Sequence, residues 1–191
     1  MEQKNDFRLF AYLASDLNRA QVLLGGGRHN LSGIKFWLGI FSPRFIPVLL
    51  CRLAYYFYLV KLSPIAKCIA LLNFFLFGIE ISIRCPIGKG LFFPHTQGTV
   101  IGAWAIGENA IIFQGVTLGA LKLDFSYNQQ LRPIVGDNVT IGSGAKILGN
   151  VSLGSESTIG ANAVVLIDVP RGSLAVGIPA EVLRTPISAL L

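Results

Sequence analysis

Two histidines and three cysteines are the groups in this 191-residue chain best suited to proton transfer or nucleophilic attack near neutral pH. His29 stands in the polar turn Gly27-Arg28-His29-Asn30 and reads as an ordinary surface residue. His95 stands between Pro94 and Thr96, where a regular aliphatic pattern is interrupted. Imidazole is the usual group for taking a proton from a hydroxyl, so His95 is the candidate general base. Cys51, Cys68 and Cys85 have no metal-ligand spacing, and their odd number suggests reduced, buried thiols in a reducing compartment. Cys85 lies ten residues before His95, which leaves a covalent Cys–His route as an alternative. A zinc centre needs about three protein ligands, commonly histidines, and two histidines do not make one within a single chain. Gly25-Gly26-Gly27 lacks the flanking strand and helix of a phosphate-binding loop and reads as a helix stop.

The elements that must position His95 are announced by spacing. Val135, Ile141, Ile147, Leu153, Ile159 and Val165 recur at every sixth place. A small residue or valine follows four places after the first five of these, at Val139, Ala145, Val151, Ser157 and Ala163. Glycine directly follows four of the six, at Gly136, Gly142, Gly154 and Gly160. A helix repeats at about 3.6 residues and a strand at two, so a spacing of six does not fit a continuous helix. It fits a solenoid of short strands and tight turns, three units to a triangular coil, with the aliphatics inside. Val135 and Leu153 should then be direct neighbours in successive coils, and Ile147 should lie near Leu118 once an intervening loop is excluded. Earlier coils carry Ile81 and Ile87, then Val100, Ile106, Ile112 and Leu118, with an irregular stretch from Leu91 to Thr99. The period vanishes between Gly119 and Pro133, so residues 120–132 should leave the stack as a loop. Phe125, Tyr127 and Leu131 suggest that this loop packs against something.

Residues 1–79 read differently, as an apolar, basic helical region. Helices are expected from Phe7 to Leu24, from near Ser32, from Phe45 to Val60, and from Ser63 through Asn73 into Phe74-Phe75-Leu76-Phe77. Residues 1–84 hold ten Lys and Arg against four Asp and Glu, so they carry the whole net charge of +6. Single, spaced basic residues among apolar runs argue against nucleic acid. Two readings remain: helices packed on each other and on a partner subunit, or an interfacial helix pair with its basic groups among anionic lipid headgroups. No uncharged stretch reaches the length of a membrane span, and MEQKNDFRLF does not resemble a secretory signal. The expected location is cytoplasmic, with peripheral contact at the inner face of the membrane as the refinement.

The repeat unit Ile141-Gly142-Ser143-Gly144-Ala145-Lys146 resembles those of the hexapeptide-repeat acyltransferases. Within them the chain is most similar to the serine acetyltransferase-like branch, which includes capsular and exopolysaccharide O-acetyltransferases. The likeness runs through Ile87–Leu91 with His95 and Gly98, Phe113–Gly119, Gly144–Asn150 and Ala175–Ala180. It implies a left-handed parallel β-helix over 80–184, following the helical region 1–79 and preceding a tail at 185–191: a mostly β chain with a short helical attachment and one protruding loop.

The resemblance also implies roles. His95, three places before Gly98, matches the family's general base, and Glu80 matches the acidic residue fifteen places earlier that orients base or acceptor. Backbone N–H groups near Gly115 are candidates for holding the oxyanion. Acetyl-CoA would run along the outside of the coils, between subunits of a homotrimer. Its groove is expected at Gly115, Gly119, Ala120, Ala145, Lys146, Gly177, Ile178, Pro179 and Arg184, with Lys146 or Arg184 meeting phosphate. No metal is implied. Where the family has a second histidine before a proline, this chain has Arg132 before Pro133. The residue before the first histidine is Pro94 rather than aspartate, and the coil between Ile101 and Gly107 is one residue short. Because the second histidine serves recognition of an amino-acid acceptor, the expectation is acetyl transfer to a saccharide or lipid-linked saccharide, with Arg132 and Tyr127 toward the acceptor. Serine O-acetylation is the first alternative and a non-catalytic scaffold the second.

Overall fold

Every sixth residue from Val135 to Val165 is buried in the computed structural model, which describes residues 7–25, 39 and 41–183. The intervening small residues Val139, Ala145, Val151, Ser157 and Ala163 are buried as well, so both positions of the repeat fill the prism. Short strands between them make three parallel sheets. The first face holds β1 (Ile79–Ile81), β2 (Thr99–Ile101), β5 (Thr117–Gly119), β8 (Lys146–Leu148) and β11 (Val164–Val165). The second holds β3 (Ala105–Ile106), β6 (Ile134–Val135) and β9 (Ser152–Leu153), extended by single bridges to Ile87 and Val169. The third holds β4 (Ile111–Ile112), β7 (Thr140–Ile141), β10 (Thr158–Ile159) and β12 (Leu174–Val176), with β13 (Glu181–Leu183) turning back antiparallel on β12. The architecture is a left-handed parallel β-helix behind an N-terminal helical region. Val135 pairs with Leu153 and Leu118 with Ile147, as the spacing requires.

One inward assignment is corrected. Val100 is 36% exposed and Ile101, at 1%, takes the interior place beside Leu118. The reason is the missing residue: after Ile101 and the buried Ala103, the next strand aliphatic turned inward is Ile106, five places past Ile101, so the count of six slips by one at that corner.

At the edge where the third face turns into the first, Gly115, Gly144 and Asn162 stack with φ of +70°, +73° and +57°. Each donates its N–H to the rung beneath, to the carbonyl oxygens of Gln97, Gln114 and Ser143 at 2.9, 2.8 and 2.8 Å. A side chain at Gly144 would place its Cβ 2.1 Å from Asn162 Oδ1, so only glycine fits under that asparagine.

The helical region caps the first coil. It contains α1 (Leu9–Leu23), α2 (Ile46–Leu59) and α3 (Ser63–Phe77), the last two with proline in the first turn. Gly78 ends α3 in the left-handed conformation. Asp16 of α1 and Arg52 of α2 form a buried ion pair, Nε to Oδ2 at 2.8 Å and Nη2 to Oδ1 at 3.0 Å. Arg52 also donates to the carbonyls of Ile87 and Gly88, and Asp16 accepts from the N–H of Leu91. Two helices are thereby hydrogen-bonded to the open end of the first coil. Among the described residues no helix is long and apolar enough to cross a membrane. The helix expected near Ser32, Gly26-Gly27, His29, Arg184 and the tail 185–191 lie outside the described residues.

All three cysteines are free. Cys51 and Cys85 are buried as expected, whereas Cys68 is exposed on α3, a correction arising because the outer side of that helix has no neighbour among the described residues.

Candidate active site

His95 lies on the loop that carries the first coil from the third face back to the first. Thr96 Oγ1 donates to the carbonyl of Phe77 at 2.8 Å, and the N–H of Gly98 donates to the carbonyl of Gly78 at 2.9 Å. Both bonds anchor the loop to the end of α3. The imidazole is exposed and borders a cleft of about 440 Å³. Ser42, Pro43 and Arg44 face it from the segment before α2, Phe77 from α3, and Gln97 from the loop itself. Clefts of this size suit small ligands. Arg44 is a cation that spacing alone did not single out, because it lies far from the repeat in sequence.

Above His95, successive rungs bring further candidate residues to the same edge. Gly115 sits on the next rung and Gly144 above it. Lys146 Nζ donates back to the carbonyl oxygen of Gly115. On the last rung the N–H of Val164 donates to the carbonyl of Gly177 at 3.0 Å, which places the exposed Gly177-Ile178-Pro179 turn at the head of the same edge. From His95 to Gly177 is four inter-strand steps, about 19 Å. One straight edge therefore carries an imidazole at one end, a lysine midway and an exposed turn at the other.

Other residues are not brought there. Ala145 is fully buried, its N–H donating to Gly142 and its carbonyl accepting from Thr117, so it has no group left to meet a ligand. The N–H of Gly115 is spent on Gln97 and is not a free oxyanion donor. Gly119 and Ala120 lie at the opposite end of the first face, where the loop leaves the stack and Gly149 donates its N–H to the carbonyl of Gly119. Glu80 faces outward from β1 into a separate cavity of about 650 Å³, together with Arg84, Phe125 and Tyr127. No hydrogen bond joins Glu80 to His95 among the described residues. The fifteen-residue interval brings the two to neighbouring rungs but not to one pocket.

The loop is wound on itself. Arg132 donates from Nε to Asp124 Oδ2 at 2.9 Å, from Nη2 to the Asp124 carbonyl at 3.0 Å and from Nη1 to the Gly102 carbonyl at 2.8 Å. Its guanidinium stacks 4.2 Å from the Tyr127 ring centroid. Each of its three nitrogens makes one hydrogen bond within the loop region, so Arg132 staples the loop, and one N–H on each of Nη1 and Nη2 remains for another acceptor. Tyr127 is likewise held, its Oη donating to Ala103 O at 2.5 Å, and burial pushes its phenol well above the ordinary range. Phe125, expected to pack, is 92% exposed within the chain.

Hydrogen bonds from Ser126, then Asn128 and Arg132, lower the Asp124 carboxyl from 3.8 to about 2. A depressed carboxyl contributes stability above its unfolded pKa and loses it as pH falls through the folded one. The loop should therefore hold fully above about pH 4 and open as pH falls toward about 2. Emission from Trp104, whose ring lies 5.8 Å from Tyr127, reports this in a Trp37→Phe background. A flat signal across that range contradicts it.

Cys85 is no nucleophile. It is buried in the core, and desolvation pushes its thiol far above the ordinary range; Cys51 is pushed up to about 11 by the same cause. Among the described residues no group of three His, Cys, Asp or Glu gathers to hold a metal.

A β-helix of hexapeptide coils with one histidine beside a long external edge is the arrangement of a coenzyme A-dependent acyltransferase. Residues 132–166 match the family described as bacterial transferase hexapeptide (six repeats). The serine acetyltransferase of Helicobacter pylori (strain J99 / ATCC 700824) is 43% identical over 138 residues, 71% of this chain and 79% of the relative. The crystal structure of Neisseria gonorrhoeae serine acetyltransferase superposes with a TM-score of 0.78 at 28% identity, covering 99% of this chain and 73% of that one. A serine acetyltransferase in complex with CoA superposes with a TM-score of 0.74 at 28% identity, covering 92% and 69%. The chain belongs to the serine acetyltransferase-like branch of the hexapeptide-repeat acyltransferases. It is an acyltransferase that uses acetyl-CoA.

Proposed function

We propose that the chain transfers the acetyl group of acetyl-CoA to the hydroxyl of serine, with His95 as general base. The expectation of a saccharide acceptor yields first place to this reading, because the relatives matched over more than two thirds of the chain are serine acetyltransferases. The observation that carries the chemistry is the shared edge: His95 lies at the foot, with Lys146 and the Gly177-Ile178-Pro179 turn above it. Coenzyme A is elongated, with its thioester at one end and phosphates toward the other. An edge of about 19 Å accommodates it with the thioester beside His95 and the phosphates toward Lys146 or higher.

The imidazole takes the acceptor proton as the hydroxyl oxygen attacks the thioester carbonyl. The tetrahedral intermediate collapses with loss of the coenzyme A thiolate, which receives the proton back from the imidazolium. Glu80 and the loop contribute from a neighbouring subunit. A closed ring of three sets the loop edge of one protomer against the His95 edge of the next, and gives the exposed Phe125 a surface to meet.

One observation favours a second reading. Arg132 replaces the family's second histidine, and its hydrogen bonds tie it to Asp124 and Gly102 of its own loop region. Saccharide O-acetylation remains the alternative on that ground. Thiol release from acetyl-CoA, measured with L-serine beside neutral and acidic sugars, separates them. Serine-dependent release is expected. Release that depends on a sugar and ignores serine overturns the assignment and leaves the acyltransferase standing.

A further inference from the structure

From Leu17 to Ile79 the sequence contains seven Lys and Arg and no Asp or Glu. Within this stretch α3 turns an apolar stripe outward. Ile65, Leu72, Phe75 and Leu76 follow helical spacing and are all exposed, Phe75 at 73% and Leu76 at 58%. The turn before the helix adds Val60 and Leu62, and Lys61 and Lys67, also exposed, flank the stripe. Such a surface needs a cover.

Charge selects the cover. A second copy of the same face would bring Lys61 and Lys67 toward their own counterparts, with Glu80, which shares the 650 Å³ cavity with Lys67, the one exposed carboxylate at the edge of the face among the described residues. An anionic bilayer offers both complements at once: hydrocarbon for the stripe, phosphate for the flanking lysines. Spanning is excluded by length, since α3 has 15 residues. We propose that α3 lies flat in the interface of an anionic phospholipid membrane, with Ile65, Leu72, Phe75 and Leu76 inserted and Lys61 and Lys67 among the headgroups. Leu71 and Phe74, on the adjoining face of α3, line the 650 Å³ cavity that also holds Glu80 and Tyr127. The inference stands apart from the choice of acceptor.

The test is flotation of the full chain with vesicles of equimolar phosphatidylglycerol and phosphatidylcholine, against vesicles of phosphatidylcholine alone. Binding is expected to the first and to be nearly absent from the second. Lys61→Gln and Lys67→Gln should each weaken it roughly fivefold. The double variant Phe75→Asp/Leu76→Asp should abolish it while leaving the molecular mass in solution unchanged, because both side chains already face solvent. Failure to bind the anionic vesicles, or equal binding to both kinds, overturns the proposal. So does a double variant that dissociates into smaller species, which would assign the stripe to a subunit contact. The lysine variants keep the test sound if the double variant does not fold.

Discussion

Replacing His95 with Ala is expected to lower kcat by about 10²- to 10⁴-fold, the usual contribution of a positioned general base. The KM for acetyl-CoA should change little. The imidazole sits at the foot of the edge, whereas the groups proposed to hold the cofactor's arm, Lys146 and the Gly177-Ile178-Pro179 turn, belong to higher rungs. The fold should survive, since His95 is exposed and no hydrogen bond holds its ring among the described residues. Steady-state kinetics with circular dichroism as the folding control measures both. A variant that keeps activity within a few-fold of the parent removes His95 from the reaction.

The largest effect on stability is expected at the ion pair beneath the first coil. Asp16 is 0% and Arg52 1% exposed, and between them they satisfy two carbonyls and one N–H of that coil. Asp16→Ala strands a guanidinium away from water and should cost about 3–5 kcal/mol. In a chain of this size that is a fall of roughly 10 °C or more in Tm. The pair Asp16→Leu with Arg52→Met removes the unpaired ion and should recover part of the loss, the remainder being the Ile87 and Gly88 carbonyls and the Leu91 N–H left without those partners. Thermal denaturation of the three proteins decides it. A single variant that melts with the parent means the helices are held by apolar packing alone.

The coil stack was legible in the sequence because each rung repeats one physical requirement, an aliphatic side chain inward and a permissive residue at the corner. The inward set from Val135 to Val165 needed nothing else. The pattern misled at Val100, where a single missing residue moved the interior place to Ile101, a slip that counting by six does not see. The three described helices were also legible, from apolar periodicity and from proline in the first turn.

The site was less legible. The hexapeptide motifs located one edge, but Ala145 belongs to the core and Gly119 to the far side of the first face. Glu80 and His95 are paired by the resemblance, and within one chain they face separate cavities, which a sequence interval of fifteen does not show. Nor does sequence distance show that Arg132 finds Asp124 eight residues back, since that contact depends on the loop's own winding. Arg44 entered the His95 cleft through the docking of the helices, a long-range event with no periodic signature.

A stack of parallel rungs exposes unpaired backbone at either end and is, in principle, a template on which further chains can grow. Here both ends carry cover. At the top β13 folds back antiparallel and pairs with β12 from Leu174 to Val176. At the bottom the polar side chains of α1 and α2 occupy carbonyls and an amide that an added rung would need. Removal of β13 uncovers the β12 edge, and a chain shortened before Glu181 is expected to associate end to end, seen as a rise in mass by sedimentation against the full chain.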